Sequence, residues 1–252
     1  MLPPIVKNLL IINVLCFLGY ITMDIVLQVN LNDILGLHYF LSDEFSPFQY
    51  VSYMFMHGGF THLFFNMFAL WMFGNALENF WGAKRFLIYY MVTGIGAAII
   101  HTIVIFYGMN SIMDEINLYL ANPDSVEPSQ DFIRYYLGFY NDVYHMVPTY
   151  IDPALLSDCK GWILSQPVVV GASGAVFGLL LAFGMLFPNA LIYLYFAIPI
   201  KAKYFVMLYG ALELYSGIQN AAGDNVAHFA HLGGMLFGFI LIKYWRGSNF
   251  KL

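Results

Sequence analysis

Apolar residues gather in six long runs, at roughly residues 8–29, 61–78, 86–107, 168–187, 203–221 and 226–244. Each is close to the ~20 residues that a helix needs to cross a hydrocarbon core. Two further apolar stretches do not fit that length. Residues 47–56 are aromatic but too short to span, and predict a segment at the interface or packed beside the second helix. Residues 190–200 follow Pro188 and contain Pro199, so they read as a connection dipping into the membrane surface. A seventh span there would leave too few residues for a turn before 203. The first run follows Lys7 and is long, with no small-x-small cleavage pattern, so it reads as a retained span rather than a signal peptide.

Composition turns this pattern into a class. Hydrophobic residues make up 60% of the 252 and charged residues 10%, against about 25% charged in soluble domains. Such a chain cannot clothe itself for water. The expected fold is an all-α membrane protein of six transmembrane helices, with a long outer insertion at 109–166 between the third and fourth. Lys7, Lys84, Arg85, Lys201, Lys203, Lys243, Arg246 and Lys251 fall on one side of such a bundle, and Arg134 and Lys160 on the other. Cations concentrate in cytoplasmic loops, so both termini are expected in the cytoplasm and the insertion outside, with the plasma membrane as the expected location. Acidic residues of the insertion, Asp124 among them, carry little weight in that rule. Within it, Phe132, Tyr135, Tyr136 and Phe139 recur at helical spacing and predict one amphipathic helix over 131–144. Tyr89-Tyr90 and Tyr244-Trp245 read as interfacial anchors, and Asp24 as reaching the interface. No basic patch points to nucleic acid, and no internal repeat supports an inverted-repeat transporter. Cys16 and Cys159 match neither a disulfide framework nor a metal-binding spacing.

Against this apolar background the polar groups stand out. Gly171-Ala172-Ser173-Gly174 places a hydroxyl among small residues that let another helix come close. In the second run His62 and Asn66 are four apart, on one helical face. His57 precedes them beside Gly58-Gly59 and reads as a structural histidine. In the sixth run His231, Gly234 and Gly238 form one stripe, with His228 on a similar face. Gly234 and Gly238 make a GxxxG surface matched by Gly174 and Gly178 in the fourth run. Asn66, Ser173 and His231 are each expected about five residues into their helices, roughly 7–8 Å below the outer ends.

An amide, a hydroxyl and an imidazole at one level are the parts of a serine hydrolase. A serine hydroxyl becomes a nucleophile when a base takes its proton, and His231 suits that role. The Ser173 N–H, the Asn66 amide and a His62 ring N–H are candidate donors to an oxyanion. No intramembrane aspartate is placed to orient His231, so the pattern reads as a Ser–His dyad. Glu213, in the fifth run, reads as a protonated or hydrogen-bonded glutamate facing the bundle. A metal-dependent hydrolase built on His57, His62, His228 and His231 is the competing chemistry. No HExxH motif or metal-binding carboxylate accompanies those histidines, so no metal or other cofactor is expected.

The chain resembles the rhomboid family of intramembrane serine proteases. The residues that carry the likeness are His57 with His62-x3-Asn66, Gly171-Ala172-Ser173-Gly174, and Ala230-His231-x2-Gly234-x3-Gly238. Gly74-x3-Glu78-x3-Gly82 adds the end of the second helix. The likeness spans nearly the whole chain outside 109–166. It implies a six-helix core, Ser173 as nucleophile, His231 as general base, and His62 with Asn66 as oxyanion donors. It also implies lipid-embedded transmembrane proteins as substrates, cut near the membrane boundary. One departure concerns residue 177. Many members carry tyrosine four residues after the serine, stacked on the catalytic histidine, and Phe177 stands there in this chain. The alternative within the family is a catalytically inactive relative that binds transmembrane clients, but such a protein has no need of both Ser173 and His231.

Overall fold

A computed structural model describes residues 2–123, 125–194, 197–219 and 227–247. Asp124, Lys251, residues 220–221 of the fifth expected span and residue 226 of the sixth lie outside the described residues. In chain order the elements are α1 (Pro4–Leu27), α2 (Leu31–Leu35), β1 (Leu37–His38), α3 (Gln49–Ser52), a 3-10 turn (Tyr53–Phe55), α4 (Phe60–Trp81) and α5 (Ala83–Ala121). Then follow α6 (Gln130–Tyr144), a 3-10 turn (Pro153–Leu155), α7 (Leu156–Ser165), β2 (Val168–Val169), α8 (Ser173–Leu186), β3 (Leu191–Leu194), β4 (Ile198–Lys201), α9 (Ala202–Gln219) and α10 (His228–Gly247). The six apolar runs correspond to α1, α4, α5, α8, α9 and α10. Among the described helices, α1 and α5 are long and apolar enough to cross a membrane; α8 is apolar but only 14 residues long.

The chain divides into two compact units. The first holds residues 1–37, 47–101 and 169–252. Here α1 buries Val6, Leu9, Asn13 and Phe17, a stripe at helical spacing that packs on α4. The rest of its surface is just as apolar: Leu15, Leu18, Ile25 and Val26 are more than half exposed. Water would penalise such a helix, whereas hydrocarbon accepts it. The start of α1 is fixed electrostatically. Pro4 opens it, and the backbone N–H groups of Ile5 and Val6 donate to Glu78 Oε1 and Oε2 at 3.0 and 2.8 Å. The first N–H groups of a helix lack partners within it and carry partial positive charge, so a buried carboxylate fits there. Gly74, one turn before Glu78, makes room: a Cβ on it would lie 2.9 Å from Val6 Cγ2.

Behind these helices α5 contributes Tyr89 and Tyr90, both fully buried. They are not interfacial anchors. Tyr89 donates to Gly178 O at 2.8 Å and packs on Trp81 and Trp245, because a phenol that reaches an internal carbonyl can be buried whole. Most of the stretch 190–200 (residues 195–196 lie outside the described residues) belongs to an antiparallel pair of β3 and β4, with Leu191 opposite Lys201 and Leu194 opposite Ile198.

The second unit holds residues 38–46 and 102–168. The third span was expected to end near 107, but α5 continues to Ala121, so the beginning of the insertion is helical. Phe132, Tyr136 and Phe139 of α6 are buried in a core with Tyr39, Met109, Ile112, Ile116, Leu156, Cys159 and Ile163. The expected amphipathic helix therefore has a partner surface. Ser129 caps α6 by accepting from Phe132 N–H at 3.2 Å, and donates its own hydroxyl to Glu115 at 2.8 Å. Tyr136 OH accepts from the Asp152 N–H at 2.9 Å. Burial pushes the Cys159 thiol up to about 12, which makes it an inert packing residue.

Replacing Glu78 with alanine removes both charge-assisted bonds to the start of α1. The expected loss is about 2 kcal/mol, read as a lower thermal midpoint in detergent. An unchanged midpoint would show that the cap contributes nothing to stability.

Candidate active site

The approach to Ser173 is set by Gly171. Its N–H donates to Tyr53 O at 2.9 Å, and its φ is +125°, a conformation open chiefly to glycine. A Cβ there would also lie 2.7 Å from Cε1 and Nε2 of His62. The turn thus lays the His62 ring over the backbone just before the serine. Residues 170–172 are not helical, and Ser173 is the first residue of α8. Its N–H belongs to the unpaired donors at a helix start. The three polar groups are therefore not equally deep in their helices: Ser173 is the first residue of α8, His231 the fourth of α10 and Asn66 the seventh of α4.

Helices α8 and α10 meet backbone to backbone. A Cβ on Gly234 would overlap the carbonyl of Gly174, and a Cβ on Gly174 would overlap Ala97 of α5. The paired GxxxG reading holds for this half only. Gly178 and Gly238 face α5 instead, against Thr93 and Tyr89. At the close end, Ser173 Oγ lies 2.9 Å from His231 Nε2. The Phe177 ring lies parallel to the His231 imidazole, with centroids 4.1 Å apart and a 4° tilt. Tyr209 of α9 stacks on the other side of Phe177 at 5.3 Å. Stacking therefore does not require the tyrosine hydroxyl.

The other nitrogen of His231 also has a partner. Nδ1 lies 2.8 Å from Glu213 Oε2, and the same oxygen lies 2.7 Å from His228 Nδ1. His231 and Glu213 are 8% and 9% exposed, so water competes little for these bonds. Glu213 was expected as a protonated or hydrogen-bonded glutamate facing the bundle, outside a Ser–His dyad; its hydrogen-bond partners are His231 and His228. The available signal was that Glu213 is the one acidic residue in its apolar run.

Glu213, His228 and His231 offer three metal-ligand atoms within 4.8 Å of one another. His57 and His62 are not in that group, so the four-histidine cluster is not assembled. The carboxylate–imidazole separations are hydrogen-bond lengths. Two ligands on a tetrahedral zinc at ~2.0–2.1 Å stand roughly 3.3 Å apart, so the two carboxylate–imidazole contacts are closer than a shared zinc would set them.

On α4, Asn66 Nδ2 donates to the His62 carbonyl one turn back at 3.0 Å, leaving a second amide hydrogen. His62 Nδ1 accepts from Gly58 N–H at 3.4 Å. His57 is fully buried, edge-on to the His62 ring with centroids 5.1 Å apart. Burial, and then the neighbouring His62, hold the His57 imidazole down to about 4. It is neutral at physiological pH and serves as a wall for His62.

A family model described as "Rhomboid domain" matches residues 44–113 and 142–247, and the chain belongs to the rhomboid family. It is accordingly a multi-pass integral membrane protein. Two curated relatives are similar over most of it. "Rhomboid protein 1, mitochondrial" of Saccharomyces cerevisiae is 28% identical over 200 residues, 77% of this chain and 41% of the relative. "Putative rhomboid protease YdcA" of Bacillus subtilis is 27% identical over 188 residues, 74% of this chain and 61% of the relative. The chain thus spans less than two thirds of either relative's length.

Gly234→Ala should separate α8 from α10 and lengthen the Ser173–His231 contact. The expected outcome is loss of labelling by a serine-directed fluorophosphonate, with a protein that still extracts as a folded species in detergent. Wild-type labelling rates in that variant would contradict the close-approach argument.

Proposed function

We propose that this protein is an intramembrane serine protease that cuts transmembrane-helix substrates near the outer membrane boundary. The observation that carries the reading is the 2.9 Å contact between Ser173 Oγ and His231 Nε2 at the start of α8. Family membership supplies the class, and the fourth-to-sixth-run pairing supplies the chemistry.

In this reading α1, α4, α5, α8, α9 and α10 cross the bilayer. The loop cations favour both termini on the cytoplasmic side of the cell membrane. The non-helical backbone before Ser173 suits membrane depth because Gly171 N–H is bonded within the protein.

His231 Nε2 takes the proton of Ser173 as Oγ attacks the carbonyl carbon of the scissile peptide. The carbonyl π electrons move onto oxygen, giving an oxyanion. The Ser173 N–H, the second hydrogen of the Asn66 amide and a His62 ring N–H are the donors proposed for it. As the oxyanion collapses the C–N bond breaks, and His231 gives its proton to the leaving amine. The acyl-enzyme is then attacked by a water whose proton passes to His231. Ser173 leaves as the acid product forms and recovers that proton. A helical substrate hides its carbonyls in its own hydrogen bonds, so it must unwind locally, which favours small or helix-breaking residues near the cut.

Cleavage of a transmembrane substrate in liposomes should be lost in Ser173→Ala and in His231→Ala and should be indifferent to chelators. The client-binding alternative predicts no cleavage by wild type, and a metal hydrolase predicts loss on chelation. Asn66→Ala should lower kcat by about 10²-fold; an unchanged kcat removes Asn66 from the oxyanion role.

A further inference from the structure

We infer that Glu213 is a positioning residue for His231, so that the catalytic unit is Ser173–His231–Glu213 with His228 as a second holder of the carboxylate. The inference rests on the serine protease reading above and adds to it a third member that a Ser–His dyad lacks.

The hydrogen-bond directions follow from the acceptors. An ionised carboxylate can only accept. With both Nδ1 atoms at 2.7–2.8 Å from the one oxygen, each imidazole donates its Nδ1–H to Glu213 Oε2. A neutral His231 that carries its proton on Nδ1 has a bare Nε2. That nitrogen is then the acceptor for Ser173 Oγ–H at 2.9 Å. The carboxylate thus selects the one neutral tautomer in which His231 can act as a base toward Ser173. When His231 takes the serine proton, Nδ1–H stays on the ring, and the adjacent negative charge stabilises the imidazolium. The carboxylate itself is not protonated.

The ring is fixed in three ways. Phe177 covers one face, Ser173 engages one nitrogen and Glu213 the other. Glu213 is fixed in turn by His228, three residues before His231 on α10, so one helix supplies both donors to one carboxylate oxygen. Tyr209, one turn before Glu213 on α9, backs the Phe177 ring. A glutamate present only to join α9 to α10 would need a bond to either histidine; occupying Nδ1 of the very ring that touches Ser173 gives it a chemical consequence.

The test uses the full-length protein in detergent or liposomes. Two readings are taken on wild type, Glu213→Gln and Glu213→Asp: steady-state kcat and KM on a transmembrane substrate, and the second-order rate of fluorophosphonate labelling. Glutamine can donate its amide hydrogen to Nδ1 and so favours the wrong tautomer. Glu213→Gln should lower kcat and the labelling rate together, by up to about 10⁴-fold, with KM nearly unchanged. Glu213→Asp should restore part of both. A merely structural helix tie would raise KM and lower the thermal midpoint while leaving small-probe labelling in the folded fraction at wild-type rate, and that result would overturn the inference. Histidine-selective ¹⁵N NMR on wild type covers the case in which Glu213→Gln does not fold. The neutral His231 signal, assigned by its absence in His231→Ala, should show protonated Nδ1 and bare Nε2, and the opposite tautomer overturns the inference. Folded wild-type protein that neither labels nor cleaves refutes the protease reading and this inference with it. Labelling lost in Ser173→Ala but kept at full rate in Glu213→Gln refutes the role of Glu213 alone.

Discussion

The site depends on the backbone contact between α8 and α10. Gly174 presents its carbonyl where a Gly234 side chain would otherwise be. In hydrocarbon no hydrophobic force presses helices together, so close packing between small residues is a main source of association. That approach brings the first residue of α8 against the fourth of α10. A single methyl at the crossing would move the hydroxyl and the imidazole apart by more than a 2.9 Å contact tolerates.

Around that crossing the polar groups satisfy one another. Ser173, His231, Glu213 and His228 form an unbroken series of contacts at 2.7–2.9 Å. A buried polar group without a partner is costly, and hydrocarbon sharpens the penalty. The same constraint explains Glu78, which lies beside the start of α1 and accepts two backbone N–H groups there. In both places a buried carboxylate is held by fixed donors rather than by a lysine or arginine. Both carboxylates therefore keep their position only while two helices stay together.

The sequence made the long elements legible because hydropathy and length decide them. It also made Ser173, His231 and the Gly174–Gly234 approach legible, since glycine spacing marks a face. What it hid depends on chain pairs far apart in sequence. The bond from Glu213 to His231 joins α9 to α10 and leaves no periodic trace. Tyr89 looks like an interfacial aromatic until the internal carbonyl of Gly178 is located. Gly171 and Ser173 lie in one apolar run, and nothing in its hydropathy says that the helix starts at residue 173 rather than near 168. The insertion was opaque for a different reason. Its core draws Tyr39 from a connection before the second span, which no reading confined to 109–166 could include.

The division of labour on α9 follows from its two faces. Tyr204, Met207, Leu208, Leu212, Tyr215 and Ile218 are 50% exposed or more, while Glu213 is buried. The exposed face suits lipid. Beside that face Phe205 and the partly exposed Tyr209 stack, Tyr209 backs Phe177, and the buried Glu213 reaches His231 one turn further on. One helix therefore supplies both the ring behind Phe177 and the carboxylate that fixes the His231 tautomer. A shift of α9 by even one or two ångströms breaks a 2.8 Å bond, whereas ring stacking falls off more gently with distance. The bond between Glu213 and His231 is thus more sensitive to the position of α9 than the ring packing is.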